Sequence, residues 1–187
     1  MIVLASGSPR RGEILTNAGI PFVREVPNDI DETPRPGEPP RDYVVRLARE
    51  KAESVDAQIG RIVLGADTTV VIDGQILGKP SSPADAAHML RLLSGRSHEV
   101  ITGICLRAVR GLVTDAATTR VWFTALSDSE IEAYARSGEP MDKAGAYGIQ
   151  GLASKFVERI DGCYFNVMGL PVALVYAHLR TYPAFML

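Results

Sequence analysis

Apolar and polar positions along this 187-residue chain change period repeatedly, from runs that suit strands to spacings that suit helices. Ile2 to Ala5 is a short unbroken apolar run and predicts a buried strand. Pro9 to Ala18 predicts a helix, with Ser8 as its N-cap, Pro9 at its first position and Gly19 closing it. Phe22 to Val26 predicts a second strand. Prolines 27, 34, 36, 39 and 40 then forbid regular structure, and a loop of this length in a compact domain is commonly functional. From about Asp42 to Asp56 the residues Tyr43, Leu47, Ala48, Lys51, Ala52 and Val55 recur at helical spacing. Lys51 lies on or beside that apolar stripe, where a charge needs a partner or a ligand.

The centre of the chain is rich in strands. Arg61–Ala66 and Thr69–Ile72 are apolar and β-branched, and Asp73-Gly74 is a strong hairpin turn into Gln75–Leu77. Ser82-Pro83-Ala84-Asp85 opens a helix that runs through Met89, Leu90 and Leu93 to Gly95. Val100–Val109 and Leu112–Phe123, joined at Arg110-Gly111, predict a long hairpin. Ser127 and Glu130 have capping-box spacing at the start of a helix that ends near Ser137, at Gly138. After a loop, Asp142–Gly151, come a strand Phe156–Ile160, a turn at Asp161-Gly162 and a last helix from about Pro171 to Leu179. Helices interleave with strands while hairpins forbid a wholly parallel sheet. The fold class expected is α/β, with a mixed sheet and long central antiparallel strands, in a single domain over residues 1–187.

Composition changes the picture mainly by exclusion. The net charge of −2 argues against a general nucleic-acid or membrane surface, so any anion site must come from local positive charge. No apolar run reaches membrane-spanning length, and the first residues read as core strand rather than signal peptide. Cys105 and Cys163 lie in apolar, strand-like settings without metal spacing; they read as buried free thiols, and a reducing cytoplasm fits them best. The chain writes its positive charge as sixteen arginines and only four lysines, Lys51, Lys79, Lys143 and Lys155. Lysine is a compact point charge that a planar guanidinium does not replace where one oxygen is gripped.

Local positive charge is concentrated at Ser6-Gly7-Ser8-Pro9-Arg10-Arg11, a strand-to-helix junction. Helix-start amides, a glycine that lets backbone approach closely, and two forked cations together ask for a phosphate. A capped helix with two solvated arginines is the alternative. Asp67, in Gly65-Ala66-Asp67-Thr68-Thr69, follows a nearly continuous apolar strand, and ligands of α/β sheets gather at the carboxyl ends of strands. A carboxylate there can take a proton from water or hold a divalent cation; it can equally be a turn aspartate. Gly78-Lys79-Pro80 lacks P-loop spacing, which rejects a P-loop NTPase but leaves Lys79 able to meet a phosphate. Asp31-Glu32 in the proline-rich loop are solvated acids or a metal ligand. In Asp142–Gly151, Gln150 offers a donor and an acceptor side by side, suited to a base edge, while Tyr147 can simply pack inward. The three histidines have no partners at metal spacing, and no Ser-His-Asp order or nucleophile elbow is present.

Taken in order, LASGSPRR (Leu4–Arg11), LAREKA (Leu47–Ala52), GADTTV (Gly65–Val70), GKP (Gly78–Pro80), SGRSHEVITG (Ser94–Gly103), SGEPMDKAGAYGIQG (Ser137–Gly151) and NVMGLP (Asn166–Pro171) resemble the Maf family of nucleoside triphosphate pyrophosphatases. The resemblance runs from the first strand to the last helix. It implies a Maf/ITPase-like fold with two lobes around a deep cleft, commonly a homodimer. It also implies cleavage of a nucleoside triphosphate between its α- and β-phosphates, aided by Mg²⁺ or Mn²⁺. DKAGAYGIQG, the paired Arg10-Arg11 and Thr68 are similar to the branch that prefers dTTP and UTP. By that similarity Asp67 is the general base, and Arg11, Thr68 and Gln150 set specificity. Ser6, Arg10, Lys51 and Lys79 meet the triphosphate. Glu32, or its neighbour Asp31, faces the metal together with Asp67. A nucleotide-binding regulator of septum formation, without turnover, is the alternative from another class.

Overall fold

The computed structural model describes residues 1–27, 30–57, 60–109 and 111–182. In order, the elements are β1 (Ile2–Ala5), α1 (Pro9–Asn17), β2 (Phe22–Glu25), α2 (Pro40–Glu53), β3 (Ile62–Ile72), β4 (Gln75–Leu77), α3 (Pro83–Leu93), β5 (Ser97–Ala108), β6 (Gly111–Phe123), α4 (Asp128–Arg136), β7 (Val157–Asp161), α5 (Tyr164–Met168) and α6 (Val172–Leu179). The seven strands form one mixed sheet in the order β2-β1-β3-β5-β6-β7, with β4 pairing β3 off that path. β1 runs parallel to both β2 and β3, whereas β4 and β7 pair antiparallel with β3 and β6. The α/β class expected from the alternating patterns is what is found.

The chain divides into two compact units. Unit 1 holds residues 1–68, 102–117 and 169–187; unit 2 holds 69–101 and 118–168. In unit 1, α2 lies directly on sheet backbone. A Cβ at Gly65 would collide with the Ala48 carbonyl oxygen, and one at Gly103 with that of Val44. Two glycines on neighbouring strands thus let a helix approach without a side chain between, and Val3, Ala5, Ala48, Ala52, Val63 and Cys105 fill the remaining space. Arg107 on β5 ends the helix: its Nη1 donates to the Ala52 carbonyl at 3.2 Å, one that helix geometry leaves without a partner, and to the Val55 carbonyl just past the cap at 2.9 Å.

Unit 2 closes around a larger core in which Leu90, Leu93, Val121, Phe123, Ile131, Tyr147 and Phe156 are buried. Phe123 and Tyr147 meet edge to face at 4.7 Å, and Tyr134 and Phe156 at 5.5 Å, the arrangement that aromatic quadrupoles favour. α4 carries both halves of the capping box expected at Ser127 and Glu130. Ser82 caps α3 by accepting from Asp85 N.

Several expectations need correction. The two strands expected at Arg61–Ala66 and Thr69–Ile72 are one, Ile62–Ile72, because Thr68 and Thr69 are β-branched and Val70–Ile72 pair onward with β4. Cys105 is buried as expected, but Cys163 is half-buried and lies outside any strand. α5, between Gly162 and Gly169, was not expected at all. Of the turn placed at Arg110-Gly111, Arg110 lies outside the described residues. Ser8 does occupy the N-cap of α1 with Pro9 next, yet its side chain makes no capping bond; Ser6 Oγ instead accepts from Ser8 N at 3.1 Å.

Candidate active site

Asp67 sits in mid-strand, not beyond a strand end as its polar neighbours predict. The physical reason for expecting a ligand there nevertheless survives. β1 stops at Ala5, opposite Gly65, so Asp67 stands two residues past the carboxyl end of the neighbouring parallel strand. The strand ladder fixes its backbone, and burial leaves it 7% exposed.

Lys51 comes to it from α2. Its Nζ lies 2.6 Å from Asp67 Oδ1 and 2.6 Å from Glu32 Oε1, so one buried ammonium joins two carboxylates that are far apart in sequence. This answers the expectation that a lysine on an apolar stripe has a partner. It also separates the two acids of the proline-rich loop. Glu32 is the one turned to Lys51, whereas Asp31 Oδ1 accepts from Thr33 N at 2.9 Å in an exposed turn. Burial pushes the Asp67 carboxyl above the usual aspartate range, against the opposing pull of Lys51 and then Arg11. The upward direction prevails, because a carboxylate stripped of water loses its main solvation while Lys51 divides its charge between two acids. A raised pKa makes Asp67 a better proton acceptor once ionised.

Arg11 corrects a second expectation. It does not reach outward as a free phosphate fork but is buried, with three donors aimed at protein. Nε donates to the Gly169 carbonyl at 2.8 Å, Nη1 to Ser6 Oγ at 3.2 Å and Nη2 to Thr68 Oγ1 at 3.2 Å. Thr68 Oγ1 also lies 2.9 Å from Thr102 Oγ1. Burial lowers the Arg11 pKa, with Asp67 opposing that shift and Arg10 adding to it. A residue expected to touch substrate is thus also the brace that orients Ser6 and Thr68. Thr102 and Gly169 escaped the sequence reading as site residues: each lies inside a recognised string, but nothing in a lone threonine or a glycine carbonyl marks it as an acceptor for Arg11 or Thr68.

Unit 1 therefore brings together Ser6, Arg11, Glu32, Lys51, Asp67 and Thr68, with half-buried Arg10 next along α1. Lys79 and Gln150 belong to unit 2 and are exposed there. Their two motifs do meet: Gly145 N donates to the Gly78 carbonyl at 3.0 Å. Within the same segment Tyr147 takes the inward option, its hydroxyl 2.7 Å from His98 Nε2. Lys143 braces the segment through Glu139 O and Asp142 Oδ1, each at 2.6 Å.

Fold and site together define a mixed α/β protein in which a buried acid and a buried lysine meet an exposed second acid beside the parallel strands. The Maf-like protein family model matches residues 1–182, and the chain belongs to that family. It is 53% identical over 179 residues to a dTTP/UTP pyrophosphatase of Syntrophomonas wolfei, covering 94% of each chain. It is 55% identical over 183 residues to a dTTP/UTP pyrophosphatase of Geobacter metallireducens, covering 96% of this chain and 95% of that one. A solved HAM1 protein from Coxiella burnetii shares 22% identity with a TM-score of 0.44, covering 65% of this chain and 72% of its own. At that score the likeness adds nothing to the fold described above.

Proposed function

We propose that this protein hydrolyses dTTP and UTP between the α- and β-phosphates, releasing the nucleoside monophosphate and pyrophosphate. The observation that carries the reading is the single buried ammonium held by Asp67 and Glu32, with Asp67 pushed toward a higher pKa by burial. The relatives that share more than half of its residues, and carry that activity in their names, support the choice of substrate.

Asp67 accepts the proton of the attacking water, from a position that the strand keeps fixed. Lys51, Arg10 and Lys79 offset the charge that grows on the departing pyrophosphate, the kind of preorganised stabilisation that dominates phosphoryl chemistry. Arg11 keeps Ser6 and Thr68 in place for the nucleotide. Gln150 pairs with the pyrimidine edge, and Arg11 and Thr68 complete the discrimination. The assignments of Arg10, Lys79 and Gln150 rest on the motifs.

The donors fit a hard divalent cation. Asp67 and Glu32 each turn an oxygen toward one point that already draws in a positive charge. Among the described residues no three His, Cys, Asp or Glu side chains converge, which suits an ion held by one or two carboxylates and completed by substrate phosphates. Asp67 and Glu32 would hold Mg²⁺ or Mn²⁺ there, and the ion would supply Lewis-acid polarisation of the phosphate oxygens. Residues 1–187 are proposed to act as one Maf domain, as a homodimer in the cytoplasm; among the described residues no helix is long and apolar enough to cross a membrane.

The test is pyrophosphate release over a panel of nucleoside triphosphates with Mg²⁺ or Mn²⁺. Turnover highest on dTTP and UTP, and abolished by a chelator, is expected. Tight nucleotide binding without release would overturn the hydrolytic reading in favour of a nucleotide-sensing regulator.

A further inference from the structure

Glu32 reaches Lys51 from a loop whose own hydrogen bonds are local turns, Thr33 N to Asp31 Oδ1 at 2.9 Å and Arg35 N to Glu38 Oε2 at 3.0 Å. Pro34, Pro36 and Pro39 lack N–H donors, and the described part of this loop contains no helix or strand. The Glu32 side chain is 43% exposed, so its contact with the buried Lys51 ammonium stays open to water on one side. The backbone that carries the carboxylate must also be placed.

One face of α2 does so. Tyr43 Oη donates to the Glu32 carbonyl at 2.9 Å, and Arg46 Nη2 donates to the next carbonyl, Thr33 O, at 3.2 Å. Tyr43 and Arg46 are three residues apart and so share a helix face, with the guanidinium 5.6 Å from the centre of the Tyr43 ring. Arg46 is in turn locked from the far side of the loop. Its Nε and Nη2 grip Glu38 Oε1 and Oε2 at 2.6 and 2.8 Å in a two-point fork. The side chains of this pair are only 13% and 10% exposed, unlike the Lys51–Glu32 contact. Arg46 holds the Glu38 carboxyl down at about 2, and burial raises the Tyr43 phenol to about 12, so both keep their roles across the working range of pH. Lys51, which meets the carboxylate, is on the same helix. A single rigid element therefore sets both the ammonium and the depth at which the loop lies.

We propose that Tyr43 and the Arg46–Glu38 fork are positioning residues that act through Glu32, gauging its carboxylate against Lys51 and thereby setting the affinity for the divalent cation. The inference rests on the hydrolytic reading for its consequence in turnover, but its own readout is cation binding.

The full chain is compared with Tyr43→Phe, Arg46→Ala, Arg46→Lys and Glu32→Gln, and with Tyr43→Phe and Arg46→Ala each combined with Glu32→Gln. Mn²⁺ binding is followed by electron paramagnetic resonance in the presence of a dTTP analogue with an uncleavable α,β-bridge, beside pyrophosphate release and thermal melting. Arg46→Ala should weaken Mn²⁺ binding about 10–100-fold, as loss of a partner behind a metal ligand does, and Glu32→Gln, which removes the ligand's charge, at least as much. On the Glu32→Gln background, Tyr43→Phe and Arg46→Ala should add less than about twofold, because the residue they act through is gone. Arg46→Lys, which keeps the charge but not the fork, should not restore affinity. Tyr43→Phe keeps the ring and carries the test should Arg46→Ala fail to fold. Fully multiplicative losses, rescue by lysine, or a wild-type protein that binds no Mn²⁺ would overturn the proposal. A wild-type protein that binds Mn²⁺ and the analogue but releases no pyrophosphate from dTTP would overturn the hydrolytic reading instead, leaving the positioning result to stand on the binding data.

Discussion

Replacing Asp67 by Asn should do two opposite things to this protein. The shape of the side chain is kept, and its capacity to take a proton is removed. Loss of a general base lowers turnover by roughly 10²–10⁴-fold, or about 2.7–5.5 kcal/mol of barrier. Stability moves the other way. Burial holds the folded-state pKa of Asp67 above its ordinary value of 3.8, so the folded protein binds this proton more tightly than the unfolded chain does. Its contribution to stability is therefore most favourable below pH 3.8 and declines as pH rises to the folded-state pKa, beyond which it is constant. At neutral pH the ionised acid is a burden that a neutral amide does not impose. Lys51 loses one of its two carboxylates in the variant, but it keeps Glu32, and burial outweighs the attraction of Lys51 and Arg11 at Asp67. Each unit of displaced pKa corresponds to about 1.4 kcal/mol, and in a chain of this size 1 kcal/mol moves the melting temperature by about 2–4 °C. Melting curves from pH 4 to 8, without nucleotide or divalent ion so that no ligand stabilises the fold, should show the variant melting higher at neutral pH. The gap should close as the pH falls. Turnover within a few-fold of wild type would refute the role of the base; a lower melting temperature at neutral pH would refute the electrostatic reasoning.

Three further outcomes are expected. Gln150→Ala should reduce discrimination between UTP and CTP by about 1–3 kcal/mol, the penalty for a base edge left without its partner, and an unchanged ratio of kcat/KM values would exclude the contact. Gly65→Ala drives a methyl into the Ala48 carbonyl and should destabilise the fold by about 1–3 kcal/mol while displacing Lys51; an unchanged urea midpoint would mean that α2 does not rest on the strand backbone. His98 is held by burial at about 4, below its ordinary 6.5, so the unfolded chain takes up its proton first as the solution is acidified. Stability should fall between pH 6.5 and about 4, by about 3 kcal/mol from this group, and His98→Gln should flatten that limb of the pH profile.

Features set by neighbouring residues were readable from the chain. The unbroken apolar run Ile2–Ala5 is the buried strand it predicts, and Ser127 with Glu130 formed both hydrogen bonds that their spacing called for. Lys51 could be picked out because a charge on an apolar stripe demands compensation, and the site provides it twice. What failed depended on partners far away in sequence. Asp67 seemed to end a strand because Asp-Thr-Thr looks polar, yet β4 pairs with the residues beyond and carries the strand on. Arg11 looked like a fork for phosphate, or else a solvated cation, because its acceptors, Thr68 and Gly169, lie 57 and 158 residues away. Asp31 and Glu32 could not be told apart until the backbone showed which of them turns toward α2. α5 covers five residues, too few to establish a helical period.

The two acids that share Lys51 are mounted in different ways. One is woven into a sheet, where any shift would have to drag neighbouring strands with it; the other hangs on a segment tethered by three side chains of one helix. On the proposed hydrolytic reading the sheet-borne half would define where bond breaking takes place, while the tethered half would behave as an exchangeable part. A graft of the segment from Ile30 to Glu38, of altered length or composition, should retune ion preference without rebuilding the hydrolytic core, provided the two carbonyls still land on α2 and an acid still faces its lysine.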